Sequence, residues 1–308
     1  MLTALLALLA LQDPAQEEKD YEALDRAHET LQKIAEVDAV FEEGTQLLLK
    51  IQEFRARYPK GQKSLAALEL VSHVQITMGK KCLHAEQAAK AEGLFTAAVG
   101  AAREVVGRVK AMAEANRDSE KEEELERFRV YAELLYFSAT FHLLLAVSEG
   151  EGRLGDLKER AAKMEEEFRA FMINYDTWVW ALEAAVYMGR AVELIARRAD
   201  PGNFIEATRA WEKVFEFLPK GRNLMKDKQW KADRFVRELS LKSTYYEMLA
   251  RQRYAELLKA AGAPHERQLF KGLDLAEAVF FAYPDAGQTP VGKQILGEQA
   301  RIEKALGR

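Results

Sequence analysis

The sequence predicts an all-α protein of long helices joined by short connections. Three observations carry this. Apolar residues recur at helical spacing along most of the chain, and no run alternates at period two. Only 7 prolines and 18 glycines punctuate 308 residues, so long stretches run without a breaker. Ala, Leu, Glu, Lys and Arg, all strong helix formers, recur throughout.

Leu2 to Leu11 reads LTALLALLAL, an apolar run too short to span a bilayer but matching the core of a secretory signal. It is apolar all round and ends abruptly at Asp13-Pro14, so residues 1–15 are read as a signal peptide, with the mature chain starting between Gln12 and Glu17. That implies export to the periplasm or cell envelope of a bacterium. No Lys or Arg precedes the run, and the alternative is a retained apolar first helix in a cytoplasmic protein.

From Glu17 the helical period takes over. Tyr21, Leu24, His28, Leu31 and Ile34 share one helix face, and Val40, Leu47, Ile51 and Phe54 share the next, up to Tyr58. Pro59-Lys60-Gly61 stops that helix, and Ser64 is expected to cap a third that carries Leu65, Leu68, Leu70, Val71 and Val74. A long helix spans roughly Glu86 to Ala115. Ser119 with Glu122 has capping-box spacing and opens another, charged at its start and apolar from Leu134 to Leu145. Glu149-Gly150-Glu151-Gly152 ends it. Helices then run from about Leu157 to Tyr175, Trp178 to Arg198, Phe204 to Leu218, Lys228 to Ala261, His265 to Tyr283 and Pro290 to Leu306. Asn203 with Glu206 repeats the capping spacing, and Pro264 and Pro290 are each expected as a first helical residue.

Composition bounds the function. With 48% hydrophobic and 31% charged residues, the chain is neither a disordered tail nor a protein with a stable membrane span. A net charge of −4 gives no basis for nucleic-acid binding. Cys82 is the sole cysteine, which excludes an internal disulfide and any multi-cysteine metal site and points to a buried structural thiol.

Several helices end alike, with an aromatic a few residues before Tyr or Leu and then Pro or Asp: Phe54 to Tyr58-Pro59, Phe171 to Tyr175-Asp176, Phe215 to Leu218-Pro219 and Phe280 to Tyr283-Pro284. In FIEATRAWEKVFEFLP, Ala207, Trp211, Val214 and Pro219 follow a spacing of small residue, aromatic four later, small residue three after that and Pro five after that. GLDLAEAVFFAYP offers Gly272, Ala276, Val279 and Pro284 more loosely. In these residues the chain resembles the second helix of tetratricopeptide (TPR) repeats, with one copy near 178–219, another near 265–306 and only traces elsewhere. The resemblance implies helix hairpins stacked as an α-solenoid, here one domain over residues 16–308; an irregular helical bundle is the alternative. The small residues would let paired helices approach, the aromatic would fill the gap to the next repeat, and proline would end the helix.

Catalytic signatures fail in turn. There is no G-x-G-x-x-G, no G-x-S-x-G elbow and no P-loop, since Gly79-Lys80-Lys81 lacks the upstream glycine and the Ser/Thr. The five histidines, His28, His73, His84, His142 and His265, are scattered. Asp25 and His28 share a helix face, but no second Glu-x-x-His copy exists to complete a bundle metal site, so neither a metal nor a cofactor is expected. His142, between Phe141 and Leu143, is expected in the core with a hydrogen-bond partner. Phe168, Phe171, Tyr175, Trp178, Trp180 and Tyr187 flank one turn and are read first as packing. The basic stretch from Lys220 to Arg237 contains Lys226, Lys228, Trp230, Lys231 and Arg234, taken as candidate residues for gripping an acidic protein or peptide partner. The expected function is therefore a non-enzymatic binding scaffold. A helical enzyme with an acid-based site, or a self-associating bundle, are the alternatives.

Overall fold

The computed structural model describes residues 14–59, 61, 63–115, 122–150, 152–175, 180–200, 208, 211 and 234–308. Ten α-helices and no strand lie among them. The chain divides into two compact units, Met1–Gly150 and Glu151–Arg308. Their boundary falls inside the Glu149-Gly150-Glu151-Gly152 segment that the sequence pattern marks as a helix end.

The first unit holds α1 (Pro14–Lys33), α2 (Val37–Arg57), α3 (Ser64–His84), α4 (Ala88–Ala115) and α5 (Glu122–Ser148). Each packs on its neighbour in sequence, and α1 also packs on α3 and α3 on α5. The apolar period dictates the faces. Leu24 and Leu31 of α1, Val40, Leu47, Ile51 and Phe54 of α2, and Ala67, Leu70, Val74 and Met78 of α3 make one core. The α3 helix is apolar on two sides because it is central: Leu68 turns to Val105 and Val109 of α4 and Ala132 of α5. The window Phe128–Ser148 of α5 is long and apolar enough to cross a bilayer, yet 72% of it is buried within the protein, the pattern of a core helix. Cys82 is buried, and that burial pushes its thiol up. His142 Nδ1 bonds the Ser138 carbonyl at 2.7 Å, one turn back on α5.

The cap of α3 differs from expectation. Ser64 is its first helical residue, and Lys63 stands at the cap position with no capping side chain of its own. The acceptor comes from α1 instead. The buried Glu17 carboxylate takes the Lys63 main-chain N–H at 2.6 Å, a negative group placed where helix N–H donors and the helix dipole favour one. A Cβ on Gly61 would lie 2.2 Å from Glu17 Oε1, so a larger residue there would have to displace this carboxylate from the Lys63 N–H. At the far end of α2, Tyr58 Oη donates to Asp20 Oδ2 at 2.7 Å. The Phe54-to-Tyr58 ending is thus a docking point for α1.

The second unit holds α6 (Leu154–Tyr175), α7 (Trp180–Ala199), α8 (Arg234–Ala260), α9 (Glu266–Ala282), a 3-10 turn (Ala286–Gln288) and α10 (Pro290–Ala305). Here α6 packs on α7, α7 on α8, and α8, α9 and α10 on one another. Pro290 opens α10 as expected, with the Thr289 hydroxyl accepting from Gly292 N at 3.0 Å. Pro264 does not open α9, whose cap is His265. Glu298 is sealed between α10 and its neighbours. One oxygen takes Arg301 Nη1 at 3.1 Å, and the other has no hydrogen-bond partner. Burial raises this carboxyl against the lowering effect of Arg301. A folded value above the unfolded one means a contribution fully present below the unfolded pKa and lost as pH rises through the folded one. Glu298→Gln is therefore expected to stabilise the unit at pH 8 by on the order of 1 kcal/mol, with the gain shrinking toward pH 4.5. Urea midpoints at the two pH values measure it, and equal gains at both would refute it.

Candidate binding face

The α1, α3 and α5 helices each contribute one ring to a row across the first unit. His28 of α1 and His73 of α3 have centroids 5.9 Å apart, and His73 and Tyr131 of α5 lie 6.5 Å apart, both pairs tilted by 39°. Helical spacing places the supporting groups. Glu69, one turn before His73, brings Oε1 to 3.3 Å from its Nε2. Thr77, one turn after His73, sets its hydroxyl 3.3 Å from His28 Nε2, and Gln32 of α1 reaches the same nitrogen at 3.3 Å.

His28 is buried, whereas the His73 and Glu69 side chains keep 32% and 14% of their exposure, so the row reaches solvent at His73. Asp25 and Gln32 are exposed beside it. Burial first, and His73 second, hold His28 below the usual imidazole range. Burial, with the charges of Glu69, Asp25 and Glu18, pushes the half-buried Tyr21 phenol up to about 12. Lys63 Nζ lies 5.4 Å above the Tyr21 ring and 3.0 Å from Glu18 Oε2. The row therefore combines one buried ring, His28, with two partly exposed ones, His73 and Tyr131. Among the described residues, no group of three or more His, Cys, Asp or Glu could hold a metal ion.

The second unit has a buried polar centre. Glu193 of α7 accepts from Trp211 Nε1 at 2.9 Å and from Arg253 of α8, whose Nε lies 3.0 Å from each carboxylate oxygen. Arg253 Nη2 also contacts Glu193. Burial pushes the Glu193 carboxyl up, but the hydrogen bonds from Arg253 and Trp211 outweigh it and leave the group below its ordinary value. Tyr246 of α8 is raised by burial and by the nearby Glu183.

Of the residues with TPR-like spacing, Trp211 is fully buried, and Ala276 and Val279 are in the core shared by α8, α9 and α10. A Cβ on Gly272 would lie 2.8 Å from Ile302 Cδ1, while Pro284 is exposed in the turn after α9. Ala207, Val214 and Pro219 lie outside the described residues, as do Lys226, Lys228, Trp230 and Lys231 of the basic stretch; Arg234 is the first residue of α8. In the aromatic group, Phe168 and Phe171 are buried and Tyr187 is half-buried, with its hydroxyl 3.4 Å from Glu183; Trp178 lies outside the described residues. The meeting of His73 and Glu69 with Tyr131 carries no local sequence signal, because α3 and α5 are far apart in the chain. Only the shared face of Asp25 and His28 hinted at it. No protein-family model matches this sequence, and no curated protein is similar enough to count as a match.

Proposed function

We propose that the chain is a non-enzymatic, TPR-like solenoid scaffold of the bacterial cell envelope that holds a protein or peptide partner. The observation that carries this reading is the row of His28, His73 and Tyr131, one ring from each of three helices that pack side by side. Alternate helices of a hairpin solenoid line one continuous face, and such a face takes an extended or helical segment. The apolar leader Leu2 to Leu11 supports export. The sequence stretch with Lys226, Lys228, Trp230, Lys231 and Arg234 is suited by its charge to an acidic segment of that partner.

The test is site-specific photocrosslinking in the native cell. A benzophenone side chain replaces His73 or Tyr131, and a control replaces the exposed Lys50 of α2. The face positions are expected to give a discrete higher-mass adduct with one protein, and Lys50 none. The same adduct from all three positions, or none from the face, would refute the reading.

A further inference from the structure

The His28–His73 contact joins two helices rather than two parts of one, and it is half buried. We propose that this pair is an acid-sensitive clasp, holding α1 on α3 at neutral pH and releasing it in mild acid. The inference rests on the packing of α1 against α3 and stands apart from any partner.

The hydrogen bonds around His28 fit the neutral ring. The Gln32 amide nitrogen can only donate, so with the amide assigned this way round its 3.3 Å contact requires His28 Nε2 as an acceptor. An imidazolium has N–H at both nitrogens, so Nε2 would face Gln32 donor to donor. Thr77 could turn its hydroxyl to accept, but one acceptor then replaces two partners. The ring contact with His73 and the Thr77 hydroxyl tie His28 to α3.

The charged and titratable groups around the pair come from three helices. Asp25 and Tyr21 face it from α1, Glu69 and His73 from α3, and Tyr131 from α5. The α2 helix meets the shared core through Val40, Leu47, Ile51 and Phe54, and its Arg57 and Tyr58 engage Asp20 two turns away on α1. A proton on His73 has Glu69 beside it as counter-ion. A proton on His28 enters a buried position next to His73, and the exposed Asp25 and the His73 main chain offset this only in part.

The direction follows from linkage. Opening α1 exposes His28, whose unfolded pKa is about 6.5, and the folded value lies lower. Below the unfolded value the open form binds the extra proton, so the closed form loses stability as pH falls, by up to about tenfold in the opening equilibrium per pH unit for one proton. Asp20 does not share this window. Its hydrogen bond from Tyr58 holds its carboxyl below the usual range, so that contact stays charged.

Hydrogen exchange followed by mass spectrometry on the full chain tests the clasp. Peptides of α1 and, as reference, of α9 are compared at pH 7.5 and 5.0 after correction for intrinsic exchange rates. In the wild type, α1 protection is expected to fall roughly tenfold more than α9 protection. His28→Gln should abolish the acid step. His73→Gln should keep it but move its midpoint to higher pH, because the neighbouring positive charge is gone. An α1 response equal to that of α9, or an acid step unchanged in His28→Gln, would overturn the proposal. Should His28→Gln not fold, His73→Gln decides alone, and a midpoint that stays or falls overturns it.

Discussion

Replacing Trp211 with Ala is expected to destabilise the second unit by about 3–5 kcal/mol, the range for truncating a large core aromatic. Trp211 is among the largest fully buried side chains, with 1% of its surface exposed. Its loss opens a cavity and also removes a donor from Glu193, which is 6% exposed and must keep its negative charge satisfied without water. Two substitutions separate these effects. Trp211→Phe deletes the Nε1–H donor but leaves a smaller cavity than Ala does, so a lesser cost of about 1–3 kcal/mol is expected. Arg253→Met removes the other support of the same carboxylate and leaves Arg197, 3.6 Å away, as a weak substitute; its cost is expected to exceed that of Trp211→Phe. Because Glu193 is held below its ordinary value, its contribution is present above the unfolded pKa and lost as pH falls through the folded one. Urea denaturation followed by circular dichroism at pH 7 and pH 4 gives all of these. A Trp211→Ala midpoint within error of wild type would show that the aromatic does not anchor this centre.

The helices were legible because periodicity reports a one-dimensional property, which face is apolar. Leu24, His28 and Leu31 fall at the expected spacing and are buried. What the sequence hides is which polar groups meet across helices. Glu17 reads as one of several acids at the start of α1, and nothing local says that it caps α3. Ser64 has the right chemistry for a cap, but the loop at Gly61 brings Glu17 to the position first, and Ser64 becomes helical. His28 and His73 meet only because α1 packs directly on α3, skipping α2. Trp211 was marked by its spacing from Ala207, whereas its partners Glu193 and Arg253 look like any charged residues on amphipathic helices. Charged side chains disclose their roles through partners, and partners are a property of packing.

Gly79→Val is expected to cost the first unit about 3 kcal/mol, the upper end for overpacking a close-packed core. In sequence Gly79 reads only as part of a failed phosphate loop. In the fold it is where α3 and α4 press together: a Cβ would stand 2.5 Å from Phe95 Cε1 and 2.8 Å from Cζ. Phe95 is fully buried, and in a close-packed core a rigid ring can shift only by displacing its neighbours. Two glycines calibrate the claim. A Cβ on Gly44 of α2 would meet Met78 Sδ at 2.5 Å, but a thioether can rearrange. For Gly44→Ala the gain of about 1 kcal/mol in helix propensity should largely offset that rearrangement. Gly100 of α4 has nothing within 4 Å of its would-be Cβ, so Gly100→Ala should gain about 1 kcal/mol outright. The expected order of urea midpoints is therefore Gly100→Ala above wild type, Gly44→Ala near it and Gly79→Val well below. A Gly79→Val midpoint at or above wild type would mean that the α3–α4 approach can relax without loss. The same device recurs at Gly272 against Ile302 in the second unit. In both units, then, two consecutive helices close on each other through a buried glycine, an approach that needs no repeat signature.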